Sequence, residues 1–104
     1  MAVDIDHSGS AVLVTGAGAG IGREIARWFA RAGASVAVND VRAEPAAAVV
    51  EAIERDGGRA FPLVADCRDE GQVSGLVAQT VERFGGLDVA VNNVGMLPPG
   101  RTVA

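Results

Sequence analysis

The chain contains no tyrosine and no lysine, and its 104 residues include one cysteine and one histidine. The lone cysteine, Cys67, cannot form a disulfide within the chain, which favours a reducing compartment such as the cytoplasm. Tyrosine and lysine are side chains that enzymes use as general acids and bases. Proton transfer by either of them is therefore excluded for this chain.

Long apolar runs and basic clusters are also absent. No hydrophobic stretch approaches the ~18 residues that a membrane-spanning helix requires. The formal net charge is −4, and no group of arginines forms the positive surface that binds nucleic acid or an anionic membrane. The first ten residues, MAVDIDHSGS, lack the positive start and the apolar core of a secretion signal. We therefore expect neither nucleic acid nor a membrane as a partner.

The sequence alternates short apolar runs with amphipathic segments. The composition, 49% hydrophobic and 21% charged, is typical of a folded domain. After a polar lead-in at residues 1–10, the apolar runs predict strands at residues 11–15, 35–39, 60–65 and 87–92. Apolar residues at helical spacing predict helices at residues 20–31, 45–55 and 70–84, with glycines following each of them.

This alternation predicts an α/β fold in which parallel strands are joined by right-handed helical crossovers. The apolar runs are nearly continuous, as expected for strands that are covered on both faces of a sheet. Pro62 lies within the third run and places that strand at an edge, because proline cannot donate to a sheet ladder. The sequence thus predicts a doubly wound parallel sheet, of which only the N-terminal half is present, with four strands and three helices.

A cluster of glycines lies between the first strand and the first helix. The segment TGAGAGIG fits the pattern T-G-x-x-x-G-x-G through Thr15, Gly16, Gly20 and Gly22, with Gly18 between them. The first turn of a helix presents unpaired N–H groups, which bind phosphate when the backbone can approach closely. A dinucleotide pyrophosphate is therefore the predicted ligand. A tight strand-to-helix turn without any ligand is the alternative.

Asp40 follows the second strand, twenty residues after Gly20. An acidic side chain at that distance from the glycines accepts hydrogen bonds from an adenosine ribose in dinucleotide-binding folds. Aspartate is also common as the cap of a turn. The sequence alone leaves both interpretations of Asp40 open.

These motifs occur in a characteristic order. TGAGAGIG is followed by Asp40, then by Ala65 and Asp66, then by LDVAVNNVG at residues 87–95. The order resembles the short-chain dehydrogenase/reductase family of the classical type, which has a Rossmann-like fold, over residues 10–97. Val94 stands where that family usually has alanine. The resemblance implies a nicotinamide-dependent oxidoreductase that interconverts a carbonyl group and a secondary alcohol.

The resemblance also implies roles for individual residues. The pyrophosphate would be held by Gly16, Gly20, Ile21 and Gly22. Gly18, in the same loop, is also predicted to bind the cofactor. Asp40 holds the ribose, and Asp66 binds the adenine amino group beside the backbone of Cys67. Asn92 braces the central strands and contacts the ribose side of the cofactor, while Gly95 lets the cofactor pass. No metal site is expected.

The family uses a tyrosine, a lysine four residues later and a serine for catalysis. This chain has neither of the first two, and its serines all lie outside the corresponding strand: Ser8, Ser10, Ser35 and Ser74. Residues 1–104 are therefore expected to be the N-terminal part of a single NAD(P)-binding domain that continues further, and to be inactive alone. The alternatives are a non-catalytic nucleotide-binding module and a structural remnant that binds no cofactor.

Asp40 would repel the 2′-phosphate of NADP(H), so NAD(H) is the predicted cofactor. Basic residues that favour NADP(H) in the family are absent at Ala19 and Val41, although Arg42 could turn toward a phosphate. The substrate is expected to be a small carbonyl compound or alcohol, with 3-oxoacyl thioesters slightly favoured by analogy. By the same resemblance, the full-length protein is expected to form a homodimer or homotetramer.

Overall fold

The computed structural model describes residues 8–93. Strands and helices alternate along the chain in the order β1 (Ala11–Val14), α1 (Gly20–Arg31), β2 (Ser35–Asp40), α2 (Ala43–Arg55), β3 (Arg59–Val64), α3 (Glu70–Phe84) and β4 (Val89–Val91). All strand pairs are parallel, and the order across the sheet is β3-β2-β1-β4. The predicted α/β fold is confirmed, and it is Rossmann-like.

The helices cover both faces of the sheet. On one face, Val12 and Val14 of β1 and Val36 and Val38 of β2 pack with buried residues of α1 and α2. On the other face, Leu13, Ala37, Phe61 and Leu63 pack against Leu76 of α3. Alternate residues of β1 and β2 thus enter two separate cores, which explains why these strands are apolar at nearly every position.

The two edge strands of the sheet are β3, whose edge position was predicted, and β4, whose length differs from the prediction. Pro62 lies in β3, which is an edge strand as predicted. The fourth strand, Val89–Val91, is shorter than the predicted residues 87–92. Asp88 precedes it and contacts Ala11 through both its side chain and its backbone. Its Oδ2 accepts a hydrogen bond from the Ala11 N–H at 2.7 Å, and its own N–H donates to the Ala11 carbonyl at 2.8 Å. The second strand is longer than predicted and includes Asp40.

Candidate functional site

The loop between β1 and α1 is tied to the end of β4. The Thr15 hydroxyl accepts a hydrogen bond from the Asn93 N–H at 2.9 Å and donates to the Asn92 side-chain oxygen at 3.2 Å. The Asn93 side chain donates to the Gly16 carbonyl at 3.3 Å. The Thr15–Asn92 bond thus links the end of β1 to the end of β4, while the predicted role of Asn92 toward a cofactor stays a prediction. The predicted residue Gly95 lies outside the described residues.

Gly16 and Gly22 make room for this packing. Gly16 has a φ of +61°, and a β-carbon there would overlap the Asn93 carbonyl. A β-carbon at Gly22 would overlap the Gly16 carbonyl. These two glycines therefore allow the start of α1 to lie against the ends of β1 and β4.

Gly20 differs from them because open space surrounds it. It has a φ of +58°, and apart from its chain neighbours and the backbone of α1 no atom of the described residues lies within 4 Å of where its β-carbon would be. Ile21 follows it and is 72% exposed. The helix α1 begins here with no side-chain cap at Ala19 and with no acidic residue in its first turn. Its first N–H groups therefore retain the partial positive charge that attracts an anion.

Asp40 lies at the end of β2 and is 6% exposed. One carboxylate oxygen accepts hydrogen bonds from the Arg42 N–H at 3.0 Å and from Arg42 Nε at 3.2 Å, and the other accepts from the Gly18 N–H at 3.0 Å. Burial acts to raise the pKa of Asp40, but the hydrogen bonds from Arg42 and Gly18 outweigh it and lower the pKa below its ordinary value. Asp40 is therefore a buried, ionised carboxylate.

Gly18 leaves room for the Asp40 carboxylate and donates its N–H to it. A β-carbon at Gly18 would lie 2.6 Å from Oδ2 of Asp40 and 2.8 Å from the β-carbon of Pro45. The absence of a side chain at Gly18 thus lets Asp40 bond to the loop backbone. The predicted contact between Gly18 and a cofactor stays a prediction.

Asp66 follows β3 and forms an exposed ion pair with Arg68. The Arg68 guanidinium donates to both carboxylate oxygens, at 3.0 Å from Nε and 2.8 Å from Nη2. These bonds, with that from the Arg68 backbone N–H, lower the pKa of Asp66 to about 2. Asp66 is therefore ionised throughout the physiological range.

Asn39 is a site residue that the sequence analysis did not identify. It is 1% exposed, and its side-chain amide donates to the carbonyls of Leu63 and Ala65 at 2.9 and 3.2 Å. Its side-chain oxygen accepts from the Gly16 N–H at 3.4 Å and from the Cys67 thiol at 3.0 Å. Asn39 thus joins the glycine loop to the end of β3. An amide within a fully buried strand whose central residues are apolar was the available signal.

Among residues 8–93, no basic side chain bonds to the Cys67 thiol, which donates to the Asn39 side-chain oxygen. Burial raises the pKa of its thiol, and the negative charge of Asp66 adds to this effect. The thiol is therefore protonated at neutral pH and acts here as a hydrogen-bond donor.

A cleft of about 600 Å³ lies at the carboxyl ends of the strands. Its lining combines predicted and unpredicted residues: Gly16, Ala19, Asn39, Asp40, Val41, Arg42, Ala65, Asp66, Cys67, Arg68 and Asn93. Four predicted residues thus share one cleft, namely Gly16, Asp40, Asp66 and Cys67. Gly18, Gly20, Ile21, Gly22 and Asn92 lie beside it without lining it.

Two further types of site are not found in residues 8–93. No three histidine, cysteine or acidic side chains are grouped so that they could hold a metal ion. No helix in this part of the chain has both the length and the apolar character needed to cross a membrane.

Known proteins are similar to this chain in sequence. The 7alpha-hydroxysteroid dehydrogenase of Escherichia coli strain K12 is 46% identical over 87 residues, which are 84% of this chain and 34% of that protein. An uncharacterized oxidoreductase of Thermotoga maritima is 43% identical over 96 residues, which are 92% of this chain and 38% of that protein. The chain therefore spans little more than a third of the length of these relatives.

Known structures share the fold. A crystal structure of hydroxysteroid dehydrogenase from Escherichia coli has a TM-score of 0.87 at 43% identity, covering 89% of this chain and 40% of that chain. A 7 alpha-hydroxysteroid dehydrogenase complexed with NADH and 7-oxo glycochenodeoxycholic acid also has a TM-score of 0.87 at 43% identity, covering 89% of this chain and 36% of that chain. The short chain dehydrogenase family matches residues 10–103. The chain belongs to the short-chain dehydrogenase family.

Proposed function

We propose that this chain forms the adenosine and pyrophosphate half of the cofactor site in a nicotinamide-dependent oxidoreductase. The observation that carries this proposal is the uncapped start of α1, which adjoins a cleft that also contains the ionised carboxylate of Asp40. The NADH complex of a structural relative supports the same cofactor class. When bound, the nicotinamide ring would supply or accept the hydride.

The glycine loop fits a pyrophosphate. Gly20 leaves open space at the first turn of α1, and the adjoining N–H groups carry partial positive charge. Gly16 and Gly22 hold the loop close to β4, so that the backbone rather than side chains faces the ligand. In this proposal Gly20, Ile21 and Gly22 supply the N–H groups, and Gly16 supplies the turn.

The adenosine half would lie at the ends of β2 and β3. Asp40 would accept a hydrogen bond from the ribose, and Asp66 with the backbone of Cys67 would bind the adenine. NAD(H) is the proposed cofactor in preference to NADP(H), because the charge of Asp40 opposes a 2′-phosphate. Asn92 and Gly95 keep their proposed roles toward the other half of the cofactor.

Catalysis would require residues that this chain does not contain. The family's tyrosine and lysine have no counterpart among its 104 residues. We place proton transfer in the remainder of the complete protein, of which residues 1–104 would form the N-terminal part of one NAD(P)-binding domain. Residues 1–104 alone would therefore bind nucleotide weakly and would not oxidise or reduce a substrate.

The proposed reaction is the interconversion of a ketone and a secondary alcohol. Hydroxysteroids are the first substrates to test, because the relatives in Escherichia coli are 7alpha-hydroxysteroid dehydrogenases. A 3-oxoacyl thioester is the second. We also propose that the complete protein forms a homodimer or homotetramer. A cytoplasmic location is proposed because Cys67 is a free cysteine.

The substitution Ala19→Asp in the complete protein tests the proposed phosphate site. Ala19 lines the cleft and is the extended N-cap residue of α1, where an aspartate would cap the helix and stabilise it by about 1 kcal/mol. The same carboxylate would repel a pyrophosphate. We expect the Kd for NADH, measured by calorimetry, to rise at least tenfold while the melting temperature stays equal or rises.

Ala78→Asp is the matched control, because Ala78 is exposed on α3. This variant should bind NADH like the unaltered protein. An Ala19→Asp variant that also binds NADH with unaltered affinity would refute the phosphate site.

A further inference from the structure

A second cavity, of about 450 Å³, lies at the amino ends of the strands. It is lined by the first residues of β1, β2 and β3, which are neighbours in the parallel register: Ala11, Ser35 and Arg59. Its volume is within the range of ~300–1,000 Å³ that small-molecule sites have. Because β2 runs for six residues between the two ends of the sheet, this cavity lies about 17 Å from the proposed nucleotide cleft. The two sites are therefore separate.

The Arg59 guanidinium is positioned by a serine. Its Nε and Nη2 both donate to the Oγ of Ser35, at 3.1 and 2.8 Å. Ser35 is 4% exposed, so a buried neutral hydroxyl orients the guanidinium without neutralising its charge. No acceptor among residues 8–93 bonds to Nη1 of Arg59.

Arg83 lines the same cavity from the last turn of α3. Its guanidinium carbon lies 4.6 Å from the centroid of the Phe61 ring, and Phe61 follows Arg59 by two residues in β3. Side chains two residues apart in a strand project from the same face of the sheet, and Phe61 packs on the face that α3 covers. The guanidinium groups of Arg59 and Arg83 therefore approach one cavity from the strand and from the helix.

No carboxylate neutralises these two arginines. Within residues 8–93, five of the eight arginines pair with an acidic side chain, at 2.8 to 3.8 Å. Arg59 and Arg83 are not among those five, although Glu54 also lines the cavity. The cavity lining thus has two cations that are free of ion pairs in the described part of the chain, and one anion.

We propose that this cavity binds a phosphate group, free or as the monoester of a small molecule, through Arg59 and Arg83. A phosphate group carries between one and two negative charges at neutral pH, which suits two guanidinium groups better than a carboxylate does. Guanidinium N–H groups bind phosphate oxygens in short, charge-assisted hydrogen bonds. The hydroxyl of Ser10, which also lines the cavity, is a further donor. This site is independent of the proposed nucleotide function.

Calorimetric titration of the complete protein with inorganic phosphate tests the site. It is done in the Ala19→Asp background, where the added carboxylate keeps phosphate from the start of α1. We expect saturable binding of one phosphate per chain. Arg59→Gln and Arg83→Gln, each added to that background, should weaken it about tenfold, as expected for loss of one charged hydrogen bond. Glu54→Gln should strengthen it, because a negative charge is removed from the cavity.

Arg31→Gln is the matched control. Arg31 lies in the last turn of α1, as Arg83 lies in that of α3, but it does not line the cavity. Its substitution should leave the phosphate affinity unchanged. Acetate, which carries a single charge, should bind at least tenfold more weakly than phosphate. Phenyl phosphate distinguishes the two forms of the ligand, since equal or tighter binding identifies a monoester and weaker binding identifies free phosphate.

Three results would refute the phosphate site. They are the absence of saturable phosphate binding in the Ala19→Asp background, equal affinities for acetate and phosphate, and a loss in Arg31→Gln as large as that in Arg83→Gln. An unchanged affinity in both Arg59→Gln and Arg83→Gln would do the same. The proposed nucleotide function is tested by NADH binding and stands or falls separately.

Discussion

Asp40 is bound to the surrounding backbone on both of its carboxylate oxygens. It bonds to the glycine loop through Gly18 and to its own turn through Arg42, and it also lines the cleft. The turn-capping interpretation of this residue is therefore correct, and it does not exclude the proposed bond to a ribose. A carboxylate oxygen can accept about two hydrogen bonds, so Oδ2, which accepts one from Gly18, has capacity for a ligand.

Gly18→Ala in the complete protein tests how tightly this carboxylate is packed. The added methyl group would lie 2.6 Å from Oδ2 of Asp40, so the carboxylate or the loop must move. We expect a loss of about 1–3 kcal/mol in the free energy of unfolding, measured by urea denaturation.

The matched control for this substitution is Gly75→Ala. Gly75 lies within α3, and apart from its chain neighbours and the helix backbone no atom of the described residues lies within 4 Å of the place that an added methyl group would take. Alanine there should therefore stabilise the helix by up to about 1 kcal/mol. Equal effects of the two substitutions would show that the contact with Asp40 is not tight.

At the scale of the elements, β4 shows how a short strand can be held at a sheet edge. It has three residues, Val89–Val91, and side-chain hydrogen bonds join it to β1 beyond both of its ends. Asp88 binds the Ala11 N–H before the strand, and Asn92 accepts from the Thr15 hydroxyl after it. Polar side chains therefore fix the register that three backbone pairs alone would specify weakly.

The substitution Asp88→Ala tests this account of β4. It leaves the N–H of Ala11, a residue that is 4% exposed, without its partner. We expect the free energy of unfolding of the complete protein to fall by about 1–2 kcal/mol, since an unpaired buried donor is costly. Asp88→Asn keeps an acceptor oxygen and should lose less than half as much; an equal loss in both variants would contradict the proposed role of this bond.

Local patterns predicted the elements and part of the site. The spacing of apolar residues predicted all seven helices and strands of residues 8–93. It does so because each helix buries one face and the central strands are buried on both faces. The glycine loop and Asp40 were identified because their spacing is local. Asn39 and Asn93 were missed because their partners lie 23 to 78 residues away in the sequence. The length of β4 was mispredicted because the run at residues 87–92 does not show that only Val89–Val91 pair with β1 in the sheet.

At the scale of the whole molecule, one edge of the sheet is open. β4 pairs with β1 on one side, and no strand among residues 8–93 pairs with its other side. Val77 and Val81 of α3 are also exposed, as is Val64 at the end of β3. An unpaired apolar edge tends to associate with other chains. We therefore expect the open edge of β4 and these exposed valines to be covered in the complete protein.

Residues 1–104 expressed alone should therefore associate rather than remain monomeric. We expect broad elution in size-exclusion chromatography, a weakly cooperative unfolding transition, NADH binding weaker than micromolar and no turnover of steroid or thioester substrates. The complete protein is the control for each measurement. A monodisperse monomer that unfolds cooperatively and binds NADH at micromolar concentration would favour the non-catalytic binding module instead.

The position of β4 beside β1 also bears on the order in which the molecule folds. Contacts between β2 and β3 join residues 24 positions apart, such as Asn39 and Leu63, whereas Ala11 and Asp88 are 77 positions apart. Closing the longer loop costs about 1 kcal/mol more in chain entropy. The segment from β1 to β3 also leaves the ribosome first. We therefore expect docking of β4 to be a late step, so that the cleft is completed only when Asn93 reaches Gly16.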